Sequence, residues 1–248
     1  MRRAVATTAL TTSLLLAACT TADGEPAAGA VTPVTIEQVA ATAVEDVPSA
    51  LAEMTAPGLP APLVDPSEVR SGGPPPDGIP PIDEPVFLPA DAVDFLEDNE
   101  LVLAIEINGD ARAYPVQILI WHEIVNDTAG GVPVAVTYCP LCNTGMVFDR
   151  RHDGLVLSFG VSGRLRHSDM IMYDRQTESW WQQATAEGVA GRFAGDRLEM
   201  LPAWMDSWAG FMGEFPDGLV MDQPAWPRQY GANPYVGYDS LARPFLYR

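Results

Sequence analysis

The sequence predicts a mainly β (α+β) fold: a single antiparallel β-rich domain with a few short helices, preceded by a Pro/Gly-rich tether. Short runs rich in Val, Ile, Leu and Phe recur between turn residues, which is typical of strands. Asn108-Gly109 and Asp153-Gly154 are strong signals for tight hairpins between such runs. No regular helical pattern separates the runs, so an antiparallel arrangement is favoured over a parallel one.

The predicted elements follow one another closely along the chain. Strands are predicted over 101–107, 111–114, 132–138, 146–150, 155–161 and 170–174, with a helix turn or strand over 122–127. Short helices are predicted over 89–98 and 203–215, and a turn or short helix over 174–183. The aromatic and Pro-rich tail, 226–248, is expected to lie over the core.

The chain begins with a segment typical of export. Basic residues at positions 2 and 3 precede an apolar stretch that is too short for a stable membrane helix and ends in small residues. Leu16-Ala17-Ala18-Cys19 resembles the lipobox of bacterial lipoproteins, whose cysteine is lipidated and becomes the first mature residue. We therefore predict a lipoprotein signal peptide over 1–18, a lipid anchor on Cys19 and a place on the outer face of the membrane, in the cell envelope. An ordinary signal peptide with a chance cysteine is the alternative.

The amino-acid composition distinguishes a predicted tether from a predicted domain, and the net charge disfavours nucleic acid as a partner. Residues 19–70 are rich in Ala, Pro and Gly and predict a flexible tether, and 71–248 predict the single β-rich domain. The formal net charge of −19 disfavours nucleic acid as a partner. The sequence has no phosphate-binding glycine loop, so no nucleotide cofactor is expected. The one partner predicted is the membrane, through the lipid anchor.

A Cys-x-x-Cys pair, Cys139 and Cys142, carries the main chemical signal. Asn143, Thr144 and Gly145 lead from it directly into a strand, whereas a thioredoxin-like pair opens a helix. A strand–Cys-Pro-x-Cys–strand turn resembles the metal knuckle of rubredoxins and zinc ribbons. In that knuckle the residue after the second cysteine often has positive φ, which Asn143 tolerates. A redox dithiol and a structural disulfide remain open as alternatives.

His122 is the predicted third ligand. It lies 17 residues before Cys139, one connection away along the chain. Three protein ligands leave a coordination position open, and thiolate with imidazole suits Cu, Zn or Fe. His152 is interpreted as a turn residue and His167 as a surface residue.

Five runs, spread over roughly residues 70–220, together resemble one known family. They are "GGPPPDGIPPIDEP", "AYPVQILIWHEIVND", "PVAVTYCPLCNTGMVFDR", "FGVSGRLRHSDMIMYDRQTESWW" and "GRFAGDRLEMLP". The family is the bacterial and archaeal domain of unknown function numbered three-one-seven-nine, which brings no established reaction. The resemblance implies that His122, Cys139 and Cys142 occupy motif positions. The candidate site-lining residues are Asn126, Asp127, Tyr138, Ser162, Tyr173, Asp174 and Arg175. Ser168 and Asp169 are further polar residues that could line a site mouth or cap a turn.

Three functions are compatible with these residues. The leading hypothesis is an exported lipoprotein whose His122/Cys139/Cys142 metal site performs redox or metal-handling chemistry. The first alternative is a thiol–disulfide oxidoreductase that uses Cys139 and Cys142. The second is a non-enzymatic surface binding module in which the two cysteines form a structural disulfide.

Overall fold

A computed structural model describes residues 48–244 and 246. The predicted signal peptide, Cys19 and the first part of the predicted tether lie outside these residues. Among the described residues, no helix has the length and apolar character needed to cross a membrane.

The described residues form a mainly β fold, as predicted. The strands are, in chain order, β1 (Arg70–Ser71), β2 (Phe87–Pro89), β3 (Leu101–Ile107), β4 (Asp110–Pro115), β5 (Ile124–Ala129), β6 (Val132–Cys139), β7 (Thr144–Asp149), β8 (Arg151–His152), β9 (Leu155–Val156), β10 (Phe159–Arg166), β11 (Asp169–Asp174), β12 (Trp180–Gln182), β13 (Glu187–Ala190), β14 (Met200–Leu201), β15 (Trp204–Ser207) and β16 (Leu219–Met221). The α-helices are α1 (Val116–His122) and α2 (Trp208–Glu214). Short 3₁₀ turns cover Pro66–Glu68, Ala90–Ala92 and Gln183–Thr185.

The strands of the described region form three larger sheets and one small ribbon. The first sheet has the order β1-β10-β11-β12-β13, the second β14-β7-β6-β5 and the third β15-β3-β4-β16-β2, while β8 pairs with β9. Within these sheets the strands pair antiparallel except for β16 with β4. The second sheet lies between two apolar clusters, so it forms the centre of the core.

Both predicted tight hairpins form. Asn108 and Gly109 have φ of 52° and 83° between β3 and β4, and Asp153 and Gly154 have φ of 47° and 75° between β8 and β9. Positive φ at two successive residues matches the right-handed twist of the flanking strands. The dipeptides were therefore sufficient to place these turns.

The predicted helices are shorter than expected. Of 89–98 only Ala90–Ala92 is helical, and the first part of 203–215 is strand β15 before α2 begins. The region 116–127 contains helix α1 and then strand β5, and 174–183 contains a turn, strand β12 and the start of a 3₁₀ turn. Whether these segments form helix or strand depends on their pairing with neighbouring strands. The local sequence pattern does not indicate such pairing.

Part of the predicted tether packs on the domain. Ala50 is fully buried, and apolar side chains of 51–69 pack against the first sheet. The amide of Leu63 donates to the Val189 carbonyl at 2.9 Å. In the described part of the predicted tether, scattered Leu, Val and Met supply apolar area among the prolines, and this area packs on the domain.

Candidate functional site

The cysteine loop closes the hairpin between β6 and β7. Cys139 and Thr144 are cross-strand partners at its end. The hydroxyl of Tyr138 donates to Asn143 Oδ1 at 2.8 Å, which ties the residue before the first cysteine to the residue after the second. Asn143 has φ of 52°, as the knuckle interpretation predicted. The loop therefore has the backbone conformation expected of a metal knuckle.

The two sulfurs meet different surroundings. Cys139 is buried and Cys142 is exposed, and both are free thiols. A hydrogen bond from the Cys139 thiol lowers the pKa of Cys142, and the same bond together with burial raises the pKa of Cys139. The Cys142 backbone amide also donates to the Cys139 sulfur. Cys142 is therefore the more acidic thiol of the pair.

Asp169 brings a carboxylate to the cysteines from another sheet. It begins β11, is only 4% exposed, and its Oδ1 lies 3.5 Å from the Cys142 sulfur. Its Oδ2 accepts the Ala184 amide at 3.0 Å, which fixes the carboxylate. Burial raises its pKa. One ligand atom each from Cys139, Cys142 and Asp169 lie within 4.8 Å of one another.

Gln183 positions the cysteine hairpin from the adjoining 3₁₀ turn. This side chain is fully buried, and its amide nitrogen donates to Thr137 Oγ1 at 3.1 Å and to the Thr144 carbonyl at 2.9 Å. It therefore holds the hairpin against the segment that also contacts Asp169.

The structure places His122 outside this group of possible ligand atoms, although the sequence predicted it as a ligand with Cys139 and Cys142. His122 ends α1 and is fully buried. Its Nδ1 lies 2.7 Å from the Pro80 carbonyl, and its Nε2 lies 2.7 Å from the Tyr230 hydroxyl. With both ring nitrogens engaged, His122 connects the Pro-rich segment 72–85, through Pro80, to the C-terminal region, through Tyr230. The sequence could not indicate this, because these partners lie 42 and 108 residues away.

Glu123 was missed as a candidate site residue. It is 7% exposed, and burial, with a smaller contribution from Cys142, raises its pKa from 4.5 to about 8. Its backbone has φ of 61° and ψ of −31°, outside the usual regions for a non-glycine residue. Its amide donates to Leu119 and its carbonyl accepts from Tyr138, so the strained conformation is held between α1 and the cysteine strand. The one sequence signal was its place beside His122.

Three site-lining candidates instead fasten the Pro-rich segment. Arg175 contacts Asp83 at 2.9 Å and Asp77 at 3.3 Å, and the Tyr173 hydroxyl donates to Asp77 at 2.8 Å. Asn126 donates to Asp83 at 2.8 Å. We call these five residues the Asp77/Asp83 clamp. Their contacts hold residues 77–83 on the sheets.

The remaining candidates also have partners within the fold. Asp127 accepts from Arg112 and Tyr114, each at 2.7 Å. Asp174 accepts from Thr177 and from the Trp181 indole, and Ser162 donates to the Ile171 carbonyl within the irregular part of β10. These contacts stabilise turns and strands rather than facing the cysteines.

A cavity of about 290 Å³ adjoins the cysteine loop. Glu123, Leu141, Met170 and Tyr235 are among its lining residues. Leu141 lies between the two cysteines, and Met170 follows Asp169. The cavity is therefore bordered by residues directly adjacent in the chain to two of the three possible ligands, Cys142 and Asp169.

Comparison with known proteins gives one family and no further relative. A family model described as "Protein of unknown function (DUF3179)" matches residues 76–248. Searches of curated proteins and of solved structures returned no match.

Proposed function

Because the chain belongs to the DUF3179 family, whose description names no reaction, we propose a function from the site itself: metal-dependent chemistry at Cys139, Cys142 and Asp169. The observation that carries this proposal is the approach of two sulfurs and one carboxylate oxygen to within 4.8 Å of one another. A single ion at the centre of such a group can contact all three, and three protein ligands leave a position for water or a substrate atom.

The donor set favours Zn²⁺ or Fe²⁺ over Cu⁺. Two thiolates and an oxygen suit a borderline ion, whereas the soft Cu⁺ prefers sulfur and disfavours carboxylate. The Ala184 amide that binds the second oxygen of Asp169 is the kind of contact that orients a metal ligand. An ion would also keep both sulfurs as thiolates despite the raised pKa of Cys139.

We further propose that this chemistry takes place in the cell envelope, on a chain anchored to the membrane through Cys19. The basic start, apolar stretch and lipobox-like residues at 16–19 support this location. The acyl chains would hold the protein at the membrane, since its surface is strongly acidic.

Thiol–disulfide exchange is the second candidate function. The specific observation in its favour is the contrast between an exposed thiol of lowered pKa, Cys142, and a buried thiol of raised pKa, Cys139. An exposed acidic thiol is suited to attack, and a buried neighbour is suited to resolve the mixed disulfide.

One experiment separates the two functions. The mature protein is purified without oxygen or chelator, and bound metal and free thiols are measured on the same sample. A metal site predicts near-stoichiometric Zn or Fe with two reduced thiols. Exchange predicts no metal and a dithiol potential of roughly −120 to −270 mV. Metal-free protein with a stable disulfide that does not exchange would contradict both functions.

Single substitutions test which side chains bind the metal. Cys142→Ser and Asp169→Asn should each weaken the metal affinity by at least about tenfold, because each removes one charged ligand. Asp174→Asn is the matched control: it is a buried aspartate at the other end of β11, about 16 Å along the strand. Unchanged metal content in Asp169→Asn, or equal loss in Asp174→Asn, would contradict the assignment.

A further inference from the structure

The cavity beside the cysteine loop, which we call the Glu123 cavity, has the features of a small-molecule site. Its volume of about 290 Å³ is near the lower end of the range for such sites, roughly 300–1,000 Å³. Apolar side chains form much of its wall, and these include Ile79, Leu141, Val161, Leu165 and Met170. An apolar wall with few polar groups is typical of a pocket that binds the body of a small organic molecule.

Glu123 is the buried polar group of this cavity. Among the described residues, Tyr235 provides its one side-chain hydrogen bond, and that bond is long, at 3.4 Å. Above its pKa of about 8 the Glu123 side chain is a carboxylate, which can accept about four hydrogen bonds, so most of its capacity remains available to a ligand. A buried carboxylate that lines a cavity is an unusual feature, because burying it without partners is unfavourable.

The backbone conformation of Glu123 is a second, independent indication of a ligand-binding site. A non-glycine residue with φ of 61° and ψ of −31° is strained, and such strain is concentrated at functional sites. The hydrogen bonds to Leu119 and Tyr138 hold the residue in this conformation. The fold therefore maintains an unfavourable conformation that keeps this carboxyl group at the cavity wall.

The charges of the lining determine which ligands can enter. Glu123 is buried, whereas Arg164, the basic residue of the wall, is exposed to solvent and screened by it. Asp169, the chain neighbour of the lining residue Met170, is a second carboxyl group close to the cavity. An anionic head group would be repelled at the buried end, and an N–H donor would be attracted.

We propose that the Glu123 cavity binds a small molecule with an apolar body and an amine or amide head, and that Glu123 accepts a hydrogen bond from that head. Leu141 and Met170, which directly neighbour Cys142 and Asp169 in the chain, form part of the cavity wall. The bound molecule is then the substrate of the metal site, and this last statement rests on the proposed function.

The test uses three probes that share a phenyl ring: benzylamine, benzyl alcohol and benzoate. Binding to the full mature protein is followed by NMR at about pH 8.5, where benzylamine is still largely protonated. Benzylamine should bind roughly tenfold to a hundredfold more tightly than benzoate, which is the range for a hydrogen bond to a charged group. Glu123→Gln should remove most of this preference while leaving benzyl alcohol binding nearly unchanged.

A cavity-filling variant tests the location of the probe. Leu165→Trp places a large side chain in the wall and should abolish binding of all three probes. Leu155→Trp is the matched control, since Leu155 is also a partly buried strand leucine but does not line the cavity. No binding to the wild type, equal affinities of benzylamine and benzoate, or unchanged binding to Leu165→Trp would overturn the proposal.

Metal content is measured on every sample, so the two proposals fail separately. Benzylamine binding in protein that holds no metal would leave the cavity as a ligand site and would contradict only the metal function. Stoichiometric metal without probe binding would contradict only the cavity proposal.

Discussion

Cys139 and Cys142 are separated by two residues but differ in the ionisation of their thiols. The hydrogen bond between them lowers the pKa of Cys142 and raises that of Cys139, and burial raises the pKa of Cys139 further. The thiolate therefore forms at Cys142 rather than at Cys139. The sequence alone identified the pair and the conformation of Asn143, because both depend on neighbouring residues. It could not indicate that Asp169 joins the two sulfurs, since Asp169 lies 27 residues from Cys142 and reaches it only when two sheets meet.

In reduced, metal-free protein, iodoacetamide should modify Cys142 at least about tenfold faster than Cys139. The reason is that the Cys142 pKa is lowered from 9.0 and its sulfur is exposed, whereas the Cys139 pKa is raised and its sulfur is buried. As pH rises, the Cys142 rate should level off below pH 9, while the Cys139 rate should still increase above it. Mass spectrometry of the two sites measures the rates. Equal rates at neutral pH would contradict the assigned pKa directions.

The Pro-rich segment shows how an element without regular structure can be held in place. The Asp77/Asp83 clamp fastens it by ion pairs and side-chain hydrogen bonds, and Ile82 adds backbone hydrogen bonds to Ile124 and Asn126. Gly163 is required nearby: it has φ of 72°, and a Cβ there would lie 2.0 Å from the Pro74 carbonyl oxygen.

The sequence predicted the strands beneath this Pro-rich segment. The long-range pairing of Arg175 with Asp77 and Asp83 was not predictable from the local sequence pattern.

Arg175→Met should loosen this segment while leaving the sheets intact. The variant removes both ion pairs of the clamp but keeps most of the apolar length of the side chain. Amide hydrogen exchange in peptides covering 72–85 should become at least about tenfold faster, whereas exchange in β6 should stay unchanged. Arg192→Met, which breaks an exposed ion pair with Asp153, is the control and should change neither region. Unaltered exchange over 72–85 would mean that the clamp is not what holds the segment.

At the scale of the whole molecule, a β-rich domain follows a segment with the features of a lipoprotein signal. The fold class was predictable because short β-branched runs and hairpin dipeptides recur along the chain. The packing of 48–69 was not predictable, since composition does not report where a Pro-rich chain finds an apolar surface. The proposed localisation rests on the sequence of residues 1–19, and it is tested separately from the site.

Cys19→Ala should abolish labelling by a radioactive fatty acid in the producing cells and release the protein from the membrane fraction. Only a thiol at this position can receive the lipid, and the acidic surface gives no alternative attraction to anionic membranes. Cys142→Ser is the control, because it also removes a thiol but should leave labelling intact. Membrane association that persists in Cys19→Ala would exclude a lipid anchor at this residue.

The three ligand atoms come from different sheets, and this has a thermodynamic consequence. Cys139 and Cys142 belong to the β6–β7 hairpin of the second sheet, whereas Asp169 belongs to β11 of the first. An ion shared among them would act as a cross-link that the unfolded chain cannot maintain. By linkage, free metal at a hundred times its dissociation constant would add about 2.7 kcal/mol to the free energy of unfolding. For the metal site proposed above, the supply of metal would then set how long the folded protein persists, in addition to whether the site is occupied.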